Sequence, residues 1–188
     1  MIFELPENGL HAWISAFDAG TQTPEDIFRM ATERYPDVSV QLVDLDKVPG
    51  QRYLKLATVN AARSFYSKQP IAKTLAMELL LYISAEKQIV RALKRIGITA
   101  ETRRIGAVAL GANREHVSAA ANFLAVTLGQ ENRDQFLDEW SRRRIENVRS
   151  SYDIGERELK AVIQENEAEH VAIERLAVER SAMLAARR

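Results

Sequence analysis

The sequence predicts an α+β fold: a small, mostly antiparallel sheet packed by several helices, with long C-terminal helices. Two observations carry this. Strand-like segments are few and sit among many helical ones without regular alternation, which argues against a doubly wound parallel sheet. Residues 131–188 then contain no proline and one glycine, Gly155, which suits helix. The chain has 188 residues, 46% apolar and 28% charged, a globular composition. We expect a core domain over residues 1–130 and a helical extension over residues 131–188, packed on the core.

The elements follow in order. Ile2–Leu5 is short and ends at Pro6, so it reads as an edge strand. Residues 9–18 read as helical or irregular. Thr23-Pro24-Glu25-Asp26 carries a cap, a first-position proline and first-turn acids, a helix start, and Pro36 stops that helix. Val38–Asp44 has period two and β-branched residues, hence a strand. Pro49-Gly50 marks a turn. From Gln51 to Ser67 the stripe Leu54, Ala57, Ala61 and Phe65 marks a helix. Pro70 opens a helix through Ser84 that is apolar nearly all round, which means burial. Residues 86–96 form a helix closed by Gly97, with Ile89, Leu93 and Ile96 as its buried face. Arg103–Leu110 is a strand, and Asn113 caps a helix to Leu128, stopped by Gly129. Two helices complete the chain, at 133–149 and 156–186. The second would span ~45 Å. A heptad count along it puts Asn166, His170 and Arg180 on the seam, which weakens a free-standing coiled coil.

With no cysteine, disulfides, thiolate metal sites and a cysteine nucleophile are excluded. His11, His116 and His170 are scattered, so no metal site is expected. Neither a glycine-rich phosphate loop nor a Gly-x-Ser-x-Gly elbow occurs. No cofactor, catalytic residue or membrane span is expected, and the start lacks signal-peptide order. Cytoplasm is the expected compartment.

Lys plus Arg equals Asp plus Glu, yet residues 1–46 carry a net charge of −7 and residues 47–104 a net of +9. Either the two blocks neutralise each other or the basic one meets a phosphate-rich partner. Lys87, Arg91, Lys94 and Arg95 fall on one face of the expected 86–96 helix, with only Glu86 beside them to offset the charge. Like charges at these spacings repel, so an anionic partner is inferred, with Gln88 adding directional hydrogen bonds. We expect RNA contact at Lys87, Gln88, Arg91, Lys94 and Arg95.

Glu78 lies among Leu75, Met77, Leu79, Leu80 and Leu81. A buried carboxylate needs partners, and Thr74 and Tyr82 are its i−4 and i+4 neighbours. Glu78 and Tyr82 are expected as a structural anchor. Phe136, Leu137 and Trp140 form an aliphatic and aromatic cluster of the kind found at interface centres; the same cluster also suits packing on the chain's own domain.

The stretch from Val38 to Ile98 resembles a known family. Val40-Gln41-Leu42-Val43-Asp44-Leu45-Asp46 looks like its strand and following acid. Ala57 and Ala61 match its paired alanines, and Ile71-Ala72 with Glu78-Leu79-Leu80-Leu81-Tyr82 its buried helix. Ser84, Gln88, Ile89, Ala92 and Gly97 match its most telling segment. The family is the kinase-binding subunit of the KEOPS complex, TPRKB in animals, with an archaeal form. Tyr53 stands where the family often has histidine, and Lys87 where it often has arginine. A lysine there keeps the charge and loses the bidentate fork.

The resemblance implies a non-enzymatic regulatory subunit that binds and stimulates a small atypical kinase/ATPase. It also implies the remaining KEOPS subunits as indirect partners, and tRNA, including its single-stranded CCA end. The complex makes threonylcarbamoyladenosine at tRNA position 37. The alternative reading is a homo-oligomeric scaffold that pairs through the C-terminal helix, with a solvated basic face.

Overall fold

The computed structural model describes residues 2–19, 23–67, 70–128 and 133–186. Four strands form one antiparallel sheet. They are β1 (Ile2–Leu5), β2 (Leu10–Asp18), β3 (Ser39–Asp44) and β4 (Arg104–Gly111), in the order β1-β2-β4-β3. Trp13 pairs with Ala109 across β2 and β4, and Leu42 with Ala107 across β3 and β4. The sheet is thus fully antiparallel, within an α+β fold.

Both faces of this sheet are dry. Trp13, Phe17, Val40, Leu42, Ile105, Ala107 and Ala109 point to one side. There they meet α1 (Pro24–Arg34) and α5 (Arg114–Thr127). Ile14, Ala16, Val43 and Val108 point to the other, into the main core. Helices α2 (Gln51–Phe65) and α3 (Leu75–Ser84) cover that side. This explains why residues 10–18, expected as helical or irregular, are instead a central strand. The period of two is present, but both phases are apolar, so no polar alternation shows it. The β1–β2 hairpin turns through Gly9 at φ +60°, a left-handed position that favours glycine.

Helix α1 begins at Pro24 and α5 is capped by Asn113, whose side chain accepts from the Glu115 and His116 amides. The stop at Gly129 lies outside the described residues, as does the boundary between 130 and 131. Pro70 does not open a helix. Residues 71–74 are bends, and α3 starts one turn later, where the Thr74 hydroxyl accepts from the Met77 amide.

The C-terminal segment differs most from expectation. The long helices are shorter pieces: a 3-10 turn at Asp134–Leu137, then α6 (Arg142–Ser151), α7 (Glu156–Val162) and α8 (Glu169–Ala186). Ser141 caps α6 and forces a fresh helix start. Asn166 takes φ +62° and separates α7 from α8. Helix α8 has 18 residues, about 27 Å at 1.5 Å per residue. It packs on α2, α3 and α6. Val148, Tyr152, Ile173 and Leu176 share one cluster with Leu54, Leu79 and Tyr82. The free tail helix on which the scaffold reading rested is therefore spent on the chain's own core.

Candidate RNA and partner interface

Helix α3 ends at a junction that organises the site. Ala85 takes a left-handed conformation (φ 54°), and the Glu86 amide donates back to the Leu81 carbonyl at 3.0 Å, a Schellman-type ending. The last carbonyls of a helix have no donors of their own. Here side chains from elsewhere in the fold supply them. Tyr53 of α2 and Tyr152 at the end of α6 both donate to the Ile83 carbonyl, at 2.8 and 2.6 Å. Ser181 of α8 donates to the Tyr82 carbonyl at 2.9 Å, and Arg95 donates to the Ser84 carbonyl at 3.3 Å. Burial raises the pKa of both tyrosines, so they remain protonated donors.

Residues 86–88 precede the next helix, α4 (Ile89–Ile96), and Gln88 is its cap residue without a side-chain capping bond. Lys87 and Gln88 are therefore placed by the exit turn of α3 and not by a helix face. The turn and α4 wall a hollow of about 460 Å3. Lys87, Gln88, Arg91 and Arg95 line it, joined by Arg180 and Met183 of α8. Lys94 is outside it, on the exposed crest of α4. Sequence spacing thus gathers four of the five expected RNA contacts at one place and leaves the fifth apart. Arg180 and Met183 carried no local signal, because only folding brings α8 to this junction.

The cations of the hollow are not equivalent. Arg95 is mostly buried and pairs with Glu86 at 2.8 Å and Asp153 at 2.7 Å. Asp153 is a counter-ion that sequence proximity does not reveal. Arg180 pairs with Glu158 at 2.7 Å and donates to the Asp153 carbonyl. Arg91 is exposed, and among the described residues no acid pairs with it. The negative end of the α3 dipole also favours cations here. Four cations and two carboxylates line the hollow, leaving a positive excess with Arg91 at its open side. Such a site can hold a phosphodiester, with the Gln88 amide at hand for a base edge and the Met183 side chain in the wall beside it.

The expected buried face of α4 is only half buried. Ala92 and Ile96 are inside, but Ile89 and Leu93 are 40% and 51% exposed. The helix lies against the domain along a narrow strip. Gly97 ends it, where a Cβ would collide with the Leu93 carbonyl oxygen.

Glu78 is fully buried, as an anchor should be. Its donors include the Ser64 hydroxyl and the amides of Ile71 (3.3 Å) and Ala72 (2.6 Å). The carboxylate thus wraps the 71–74 loop onto α3, while Thr74 is used as the cap. Tyr82, one helical turn on, is buried too, and its carbonyl is the acceptor for Ser181.

Phe136 and Leu137 lie on the 3-10 turn and Trp140 just beyond it. Leu137 is fully buried, and the other two pack partly buried against the core. Arg144 organises all three. It is wholly buried and donates to the carbonyls of Val48, Phe136, Leu137 and Glu139, at 2.6 to 3.3 Å. Its guanidinium carbon sits 5.0 Å from the Trp140 ring centre, and His170 stacks on the same indole. Burial pushes its pKa down to about 10, so it remains charged at neutral pH.

A family model described as kinase binding protein CGI-121 matches residues 20–184. The chain belongs to this family. It is the KEOPS kinase-binding subunit family that the Val38–Ile98 segment resembles, and the match extends into α8. A search of curated proteins finds no match. A CGI-121 protein needs a protein-docking surface as well as any nucleic-acid site. Among the described residues, no group of three or more His, Asp or Glu could hold a metal, and no helix is long and apolar enough to cross a membrane.

Proposed function

We propose that this CGI-121 protein is a non-catalytic regulatory subunit of a cytoplasmic KEOPS complex. It binds and stimulates the small atypical kinase/ATPase and helps hold tRNA for formation of threonylcarbamoyladenosine at position 37. The observation that carries the RNA part is the cationic hollow. Lys87, Gln88 and Arg91 open onto it, while Arg95 and Arg180 are held in its wall by acids of this chain. A hollow of this size, with the Gln88 amide and the Met183 side chain beside charge, suits a single-stranded end better than a duplex. The 3′ CCA end of tRNA is the ligand we assign to it.

The test is tRNA binding at constant salt, with intact tRNA and with tRNA lacking its last three nucleotides. Lys87→Glu combined with Arg91→Glu should weaken binding of intact tRNA at least tenfold. The truncated tRNA should bind the native protein about as weakly. Unchanged affinity of the double variant for intact tRNA would remove the hollow from the reading.

A further inference from the structure

Helix α4 has a second edge. Successive residues of a helix turn by about 100°, so Ile89, Leu93 and Val90 run along the side away from Arg91 and Arg95. They are 40%, 51% and 80% exposed. Among the described residues no other helix exposes three large apolar side chains to this degree. Leu93 and Gly97 also wall an apolar hollow of about 290 Å3, with Phe28 of α1, Leu42 of β3, and Met77 and Leu80 of α3. The hollow reaches β3, one of the two edge strands of the sheet.

Three features narrow the occupant. The hollow is lined by apolar side chains almost throughout and falls at or below the ~300–1,000 Å3 of small-molecule sites, so it suits one or two protein side chains. Strand addition at β3 is disfavoured, because Gln41 Nε2 already donates to the Leu42 carbonyl at 3.1 Å. The exposed Lys94 stands beside Val90 on the crest, and among the described residues no acid pairs with it. Apolar anchors beside an unpaired cation complement an amphipathic helix that carries a carboxylate next to its apolar stripe.

We propose that the Ile89–Val90–Leu93 edge and its hollow are the docking surface for an acid-flanked apolar helix of the kinase. This rests on the kinase-binding reading of the family. It places the kinase and the RNA end on opposite edges of one eight-residue helix. It also assigns Lys94 to the kinase and not to RNA.

The experiment uses the full chain and the purified KEOPS kinase of the same organism, with affinity read by calorimetry. Val90→Asp and Leu93→Asp alter exposed positions. Each should weaken kinase binding at least tenfold while shifting the melting temperature by no more than a few degrees. Lys94→Glu should weaken it several-fold, and more so at low salt. If the native chain binds the kinase and Val90→Asp binds equally well, the surface assignment is wrong. Val90→Asp also keeps the test valid if Leu93→Asp fails to fold. If the native chain does not bind the kinase, the kinase-binding reading itself fails, and the proposal with it. Self-association of the native chain that Val90→Asp abolishes, with kinase binding intact, would give the surface to a second copy and overturn the proposal.

Discussion

Arg144 and Arg91 share a feature that usually signals function: among the described residues neither forms an ion pair with a carboxylate. Their surroundings give them opposite meanings. Arg144 is wholly buried, and its donors are spent on four backbone carbonyls. Arg91 is exposed at the mouth of a hollow, where Arg95 and Arg180 are already paired with acids. A buried guanidinium with satisfied donors holds backbone together. An exposed one beside neutralised neighbours is free to meet a ligand. Missing acids therefore identify an interface only where solvent can also reach the cation.

The sharpest way to test this contrast is Arg144→Met. The substitution keeps volume and removes every donor at once. The carbonyls of Val48, Phe136, Leu137 and Glu139 would be left in a dry site, and the Trp140 face would lose its cation. Removing one side of such a buried charged network costs about 3–5 kcal/mol. For a chain of this size that is a fall in melting temperature of roughly 10 °C, read by calorimetry. A change under 2 °C would mean that the 133–141 segment is held by other contacts.

Glu78→Ala should come next, at about 2–3 kcal/mol, because the Ser64 hydroxyl and the Ile71 and Ala72 amides would lose their acceptor. Its effect should be local. Hydrogen exchange should rise in residues 71–74 before it rises in the sheet, since the carboxylate holds two backbone amides of that loop and none of the sheet. Uniform loss of protection would show instead that the anchor supports the whole of α3.

These residues also show how far the sequence could be read. Glu78 was legible as a buried acid, because a carboxylate amid leucines needs partners. Its partners were not legible: Ser64 and the 71–72 amides are brought to it by a loop, while the neighbour in register, Thr74, is used as a cap. Strand β2 was hidden because both of its faces are apolar. The tail helices were overextended because Ser141 and Asn166 interrupt them without proline or glycine. The basic set around α4 was found from spacing, yet Asp153, Arg180 and Met183 of the same hollow come from the far end of the chain. Arg144 carries no local signal of its burial, since Arg142 and Arg143 beside it are exposed.

The smallest expected effect on stability is also the most informative for function. Arg91→Glu changes an exposed side chain, so the fold should move by no more than about 0.5 kcal/mol. RNA binding should weaken, and the slope of log affinity against log salt should flatten by about 0.7, the value for one phosphate contact on a single strand. Lys94→Glu makes the same charge change three residues along the helix, about 60° round it and outside the hollow. If the two edges of α4 serve different partners, Lys94→Glu should leave the RNA salt slope unchanged while weakening the kinase complex. Equal flattening by both substitutions would mean that RNA reads the general field of α4 and not the hollow. The distinction between the edges would then collapse, because a diffuse field treats any cation on the helix alike.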